Sequence, residues 1–333
     1  MSERPRASHR ARDAKVLDWL LEKDQPAVRY RTLVDLLDRK ENDPEVRATK
    51  ARIARVGWVH DQLKIQKSEG YWEARAPTTF RKWVNFLYYP KYLSTNWRAL
   101  VLSDFGVDAS NPQVKRLADV LFEYKLQLSS PFNFYYEETC VSGNTARMLT
   151  RFGYADDFRV RKLFDWLIED QRADGGWNCS HGTPGTLDVW EALAAFAALP
   201  KSRRSAKMEQ SIARGAEFYL KRGLLKEGRP YPPWSRLHYP NHYYYDFLVG
   251  LDLLTALGFA GDRRLGPALK LLAEKRRPDG RWSLDRSHPD VAGPGTRAYA
   301  KKATPLVIEP PGRPSKWITM KALRVLKRVE DAS

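Results

Sequence analysis

Three short turns constrain this chain more than any other feature. Gln171 to Trp177 reads QRADGGW, Gln66 to Trp72 reads QKSEGYW, and Arg276 to Trp282 reads RRPDGRW. They begin at 66, 171 and 276, two equal intervals of 105 residues. Unrelated domains would not repeat one turn on that schedule, so the chain is read as a repeat protein. Helical periodicity fills the space between the turns. Apolar helical patterns run over 16–21, 26–37, 92–106, 140–152, 186–199, 243–257 and 317–329. Partner segments follow from Asp43 toward Gln66, from Asn111, and over 157–171, 205–224 and 263–275. Alternating strand patterns are scarce.

A helix pair of roughly 50 residues is the repeat, each long interval spans two pairs, and about six pairs fill the chain. The segments at 92–106, 140–152, 186–199 and 243–257 are rich in small and apolar residues, whereas the others carry more Lys, Arg and Glu. A helix apolar on most faces is packed on all sides, and an amphipathic one keeps a wet face. The expected fold is therefore an all-α, α/α toroid with an inner and an outer ring, and an open helical-repeat solenoid is the alternative. Residues 1–13 read as a disordered basic tail and 14–333 as a single repeat domain. In each turn Gly permits a sharp reversal, the first residue can bond the next helix terminus, and Trp packs back between repeats. Asp156 and Asp157, the only adjacent pair of aspartates, are expected to serve as a helix N-cap.

The 333 residues hold 57 Lys and Arg against 40 Asp and Glu, a net charge of +17. That excess predicts attraction to an anionic partner: nucleic acid, a membrane surface or a phosphorylated substrate. A solvated basic surface accounts for it equally well. No helix-turn-helix, zinc-finger or RNA-recognition signature is present. Mean hydropathy is −0.58, and no run of about 18 uncharged apolar residues suggests a transmembrane segment. The first residues contain no apolar core of a secretory signal, and two cysteines are too few for a disulfide framework. The expectation is a cytoplasmic protein with reduced thiols.

The QRADGGW turn resembles the QW motif of terpene cyclases. The repeat layout, from about residue 26 to 330, resembles the prenyltransferase and squalene-oxidase repeat superfamily. The first turn departs from the pattern at Glu69 and Tyr71, and the third has Arg276 where Gln is expected. The resemblance implies a toroid with a central cavity, acting as an enzyme on a hydrophobic substrate, isoprenoid or diphosphate-bearing. The triterpene cyclases of this superfamily protonate an alkene with a D-x-D-D motif, which is absent here, so squalene-type cyclisation is not expected. The protein prenyltransferases use zinc held by Asp, Cys and His near the starts of inner helices, and work with a partner subunit that this chain does not contain.

Candidate ligands sit at comparable places. Cys140 opens one inner helix, Cys179 and His181 precede the next, and His242 opens the one after. Two thiolates and two imidazoles suit tetrahedral zinc, structural if all four bind and catalytic if one position stays open. Separate buried cysteines and hydrogen-bonded histidines are the plainer reading. Asp188, Glu191 and Asp246 are the candidate catalytic acids or bases, because a carboxylate facing an apolar cavity has a raised pKa. Each could instead cap a helix. Trp97, Tyr136, Arg147, Trp190, Tyr243 and Tyr245 are the candidate substrate-binding residues, aromatic walls suiting an isoprenoid or a cation. Arg147, Arg236 and Lys316 are candidates to meet a diphosphate. A non-catalytic basic scaffold is the alternative function.

Overall fold

Capping chemistry fixes where most helices begin. The computed structural model describes residues 14–78, 86–89, 91–125, 138–180, 182–227, 229–292 and 304–333. The segment 1–13 and the expected repeat boundaries near Gln127 and Gly228 lie outside them. Helix α1 covers 14–20 and α2 Pro26–Arg31. Helix α3, Pro44–Arg52, starts where Asp43 accepts from the N–H groups of Glu45 and Val46 and proline takes the first helical position. A turn at Gly57 separates it from α4, Gly57–Leu63. Next come α5, Thr95–Asp104, α6, Pro112–Lys125, and α7, Thr139–Leu149. Asp157 caps α8, Phe158–Glu169. Helix α9 is Glu191–Ala198. Ser205 caps α10, Ala206–Lys221, and Asp246 caps α11, Phe247–Ala256. Helix α12 is Gly266–Glu274, and Ser315 caps α13, Lys316–Asp331. Among the described residues the only ladder is a two-residue antiparallel pair, Lys226–Glu227 with Arg229–Pro230.

The helices form two concentric rings. Helices α2, α5, α7, α9, α11 and α13 are the inner one, each touching the next. Every residue of α7 is buried, as is every residue of α5 but Asp104. Outer helices show one dry face: α10 buries Met208, Ile212, Ala216 and Tyr219, spaced as helical neighbours. Helix α1 supplies the outer element beside α13, where Trp19 packs under Lys316 and Arg281.

The ring closes. Arg324 on α13 reaches Asp35, just after α2, and Asp252 on α11, both at 2.6 Å. Lys327 pairs with Asp38, and Lys316 with Glu22 and Asp24. An open solenoid has no such contacts between its first and last repeats, so the α/α toroid stands.

The three Gly-Trp turns work alike. The indole N–H of Trp72, Trp177 and Trp282 donates to the carbonyl of Gln62, Leu167 and Leu272 at 2.9, 2.8 and 2.8 Å. Each acceptor lies ten residues back, in the last turn of an outer helix, where carbonyls have no intrahelical partner. The Gln171 amide bonds Gly175 O at 2.8 Å and then Ser211 O, on the next outer helix, at 2.9 Å. Gln66 does the same with Gly70 and Gln113. Arg276 takes over the first of these bonds through Nε to Gly280 O at 3.1 Å. Gly175 has φ +91°, and a Cβ there would lie 2.6 Å from Arg214 O, so only glycine fits. The turn is a clamp between neighbouring outer helices.

Candidate functional site

The inner helices, mainly through their C-terminal halves, enclose a cavity of about 290 Å³. Helix α9 makes the room, since Ala194, Ala197 and Ala198 leave space where larger residues would meet. Val249, Leu253 and Ala256 of α11 extend this apolar wall. Opposite stand Arg147 and Arg151, one turn apart, and Lys321, Arg324 and Arg328 on one face of α13. Arg31, Asp35, Asp104, Asn241 and Asp252 complete the polar lining, together with Trp190 and Trp317. Asp35 and Arg151 lie in short π-helical extensions of α2 and α7, Thr32–Leu36 and Thr150–Tyr154. Such distortions re-aim side chains and are common at functional sites.

The carboxylates here are already engaged. Asp252 meets Arg324 at 2.6 Å and Arg328 at 3.0 Å. Asp35 meets Arg324, and Asp104 bonds Arg151. Burial pushes the Asp252 and Asp104 carboxyls up, but the surrounding cations outweigh it and hold both below the usual range. Burial lowers Arg151 to about 10. The unmatched groups are donors. Arg147 Nε, Trp190 Nε1 and Trp317 Nε1 are buried without an acceptor, although the Arg147 guanidinium lies over the Trp190 ring at 5.0 Å. Buried donors are nearly always satisfied, so three orphans around one cavity need an explanation.

The other expected residues distribute as follows. Arg147 and Trp190 line the cavity. Trp97 is wholly buried and donates to Tyr88 O at 2.8 Å. It meets Tyr243 edge-on at 4.9 Å, and the Tyr243 and Tyr88 hydroxyls share a hydrogen bond. Both stand toward the N-terminal end of the inner ring. Tyr245 packs between α10 and α11 with its hydroxyl on Leu224 O at 2.9 Å, apart from the cavity lining. Tyr136 lies outside the described residues. Of the carboxylates, Asp246 is a helix cap: it accepts from Val249 N at 2.9 Å and His238 N at 2.8 Å. Asp188 is exposed and accepts from the Trp234 indole at 2.7 Å. Glu191 differs. It is wholly buried, neither carboxyl oxygen has a partner, and burial pushes its pKa well above the usual range. Of the remaining phosphate candidates, Lys316 is committed to the ring seam.

The four expected metal ligands are only partly gathered. Cys140 and Cys179 come together, sulfur to sulfur, at 2.7 Å. His181 lies outside the described residues. His242 is buried between Tyr92 and Trp97, and burial lowers it to about 3. Among the described residues no three His, Cys, Asp or Glu side chains could hold a metal ion. The contact with Cys140 pulls the Cys179 thiol down, while that contact and burial push Cys140 up.

The chain is thus an α/α toroid with a polar, cation-lined cavity inside its inner ring. No family model matches it, and no curated protein matches it. Among solved structures it is similar to type II terpene cyclase MstE from Scytonema, at 16% identity, covering 93% of this chain and 88% of that one, with a TM-score of 0.44. It is also similar to a protein from Actinoplanes, at 17% identity, 97% and 99% coverage and a TM-score of 0.44. The likeness is one of helical architecture. No helix of the described residues is long and apolar enough to cross a membrane.

Proposed function

We propose that the central cavity binds a small molecule with an anionic head, a phosphate or diphosphate ester, and a short apolar body. The observation that supports this is the set of three buried donors without acceptors, Arg147 Nε, Trp190 Nε1 and Trp317 Nε1, in a cavity whose carboxylates are already paired. An anion supplies the missing acceptors, and hydrogen bonds to charged groups are the strong ones. The alanine and leucine wall suits the apolar body. A volume near 290 Å³ sits at the lower end for small-molecule sites and favours a short isoprenoid over a long one. In the enzymatic form of this reading Glu191 is the proton donor. It directly follows the cavity residue Trp190, and burial keeps it protonated. Zinc has no part in this reading.

Titration calorimetry of the full chain with inorganic pyrophosphate, geranyl diphosphate and geraniol tests it. Geranyl diphosphate and pyrophosphate should bind the wild type, and Arg147→Met should weaken both at least tenfold, as one charged hydrogen bond is worth ~1.5–3 kcal/mol. Geraniol binding as tightly as its diphosphate, or Arg147→Met leaving both unchanged, would overturn the reading. Duplex DNA held equally by both proteins, with a steep salt dependence and no pyrophosphate binding, would favour the basic scaffold instead.

A further inference from the structure

The two cysteines form a site that the cavity does not use. They are 39 positions apart and are the only cysteines in the chain. Cys140 is the second residue of α7, and Cys179 follows the second Gly-Trp turn by two positions. Their segments are tied together independently of the sulfurs. The Thr139 hydroxyl bonds Asp170 Oδ2 at 2.5 Å and Asn178 O at 3.4 Å. Arg172 holds Asn178 O at 2.9 Å from the other side. The backbone N–H of Cys140, in the first turn of α7, points at Cys179 Sγ at 3.4 Å. Cys179 is partly exposed, whereas Cys140 is buried, with its sulfur 3.9 Å from a Glu138 carboxylate oxygen.

We propose that Cys140 and Cys179 are a redox-active dithiol that reacts with small-molecule disulfides, Cys179 attacking and Cys140 resolving. The roles follow from access, because only Cys179 can meet a reagent from solvent. In the first step Cys179 sulfur attacks one sulfur of R–S–S–R. The S–S bond breaks, R–S⁻ leaves and takes up the proton that Cys179 released, and Cys179 carries a mixed disulfide. In the second step Cys140 gives its proton toward Glu138 and attacks the Cys179 sulfur. The second R–S⁻ leaves and is protonated in turn. Two protein thiols are oxidised to one disulfide while one external disulfide is reduced to two thiols. The residues flanking both cysteines are already neighbours, so closing the bond needs little backbone movement. The product would join the loop after the second Gly-Trp turn to the helix that carries Arg147 and Arg151.

Oxidised and reduced glutathione in varied ratio, followed by acid quench, alkylation and intact mass, is the test. Wild type should lose both thiols together and yield a crosslinked peptide pair, with the internal disulfide favoured over the mixed one by roughly tenfold or more. Cys140→Ser should stop with one glutathione on Cys179. Cys179→Ser should leave Cys140 unreacted while the protein stays folded. Cys140→Ala and Cys179→Ala, checked by circular dichroism, replace any serine variant that fails to fold. Two alkylated thiols at every ratio would overturn the proposal, as would glutathionylated wild type without the internal bond. One zinc per chain by elemental analysis, with both thiols protected until a chelator is added, would also overturn it.

Discussion

Replacing Gln171 by leucine isolates the clamp, because leucine keeps the approximate volume and removes the amide. Three hydrogen bonds go with it. Gln171 Nε2 donates to Gly175 O and Ser211 O, and the Ser211 hydroxyl donates to Gln171 Oε1 at 2.9 Å. At ~1 kcal/mol for each lost bond, the cost is ~3 kcal/mol. An unfolding entropy of ~2.1 cal/mol/K per residue gives ~0.7 kcal/mol/K for a chain of this length, so Tm should fall by ~4 °C. Gln66→Leu removes two comparable bonds, and Gln66 Oε1 has no partner to lose. Its fall should be about two-thirds as large. Ser211→Ala removes one bond and should cost ~1 kcal/mol. Because that bond is already absent in Gln171→Leu, the double variant should be less destabilised than the sum by about the same amount. Scanning calorimetry of the wild type and the four variants at one pH measures all of this. A Tm fall below 1 °C for Gln171→Leu, or strict additivity with Ser211→Ala, would refute the clamp and leave the glutamine as a surface residue.

Three further outcomes follow from the geometry. Gly143→Ala should cost ~1–3 kcal/mol or prevent folding, measured by denaturant titration, because its Cβ would lie 2.6 Å from the Glu191 carbonyl carbon where α7 and α9 touch. Arg324→Ala should destabilise by ~3–5 kcal/mol, since it leaves Asp35 and Asp252 buried at the ring seam with fewer partners. His242 should make stability fall with acidity. Its folded pKa, lowered to about 3, lies below the unfolded value of ~6.5, so the unfolded chain binds the extra proton between those limits. That contribution is intact above pH ~6.5 and shrinks by ~2 kcal/mol by pH 5. His242→Phe should remove that part of the slope whatever its effect at neutral pH, and an unchanged slope would refute the assignment.

Much of the ring was legible in the sequence, and the physical reasons are local. The turn spacing fixed the repeat, and small apolar segments marked the inner helices. Boundaries slipped where side chains outside the periodic pattern decided them. The pattern over 243–257 begins as a helix only at Phe247, because Asp246 caps there and Tyr245 is held by Leu224. The pattern over 186–199 begins at Glu191, after a turn running from Thr186. Asp157 behaves as the N-cap it was expected to be. The site was less legible. Arg147 and Trp190 were among the expected binding residues, but Arg31, Arg151, Lys321, Arg324 and Arg328 were not. Their signal was present: Lys321, Arg324 and Arg328 fall three and four apart, on one face of a helix. It went unread because a basic stripe on a terminal helix is ordinarily a wet surface. Only ring closure, through contacts nearly 290 residues apart in sequence, turns that stripe inward.

The direction of the inner helices bears on what the cavity can select. Several of their C-terminal ends reach its lining, among them those at Arg31, Asp104, Ala198 and Ala256, and each such end carries a partial charge of about −0.5. The ends that reach the lining offset part of the excess of Arg31, Arg147, Arg151, Lys321, Arg324 and Arg328 over Asp35, Asp104 and Asp252. Part of the positive lining therefore balances the backbone rather than waiting for a polyanion, and the +17 of the whole chain is poor evidence about this site. What the helix ends do not balance is direction. Carbonyls at the cavity wall are fixed in place, and none of them reaches Arg147 Nε, Trp190 Nε1 or Trp317 Nε1. A ligand is then chosen by where it puts its acceptor oxygens more than by its total charge. Salt separates the two cases. Binding governed by acceptor geometry weakens little between 50 and 200 mM salt, whereas capture by net charge falls by orders of magnitude over that range. Pyrophosphate affinity that collapses with salt would return the cavity to the basic surface and leave the three buried donors without an account.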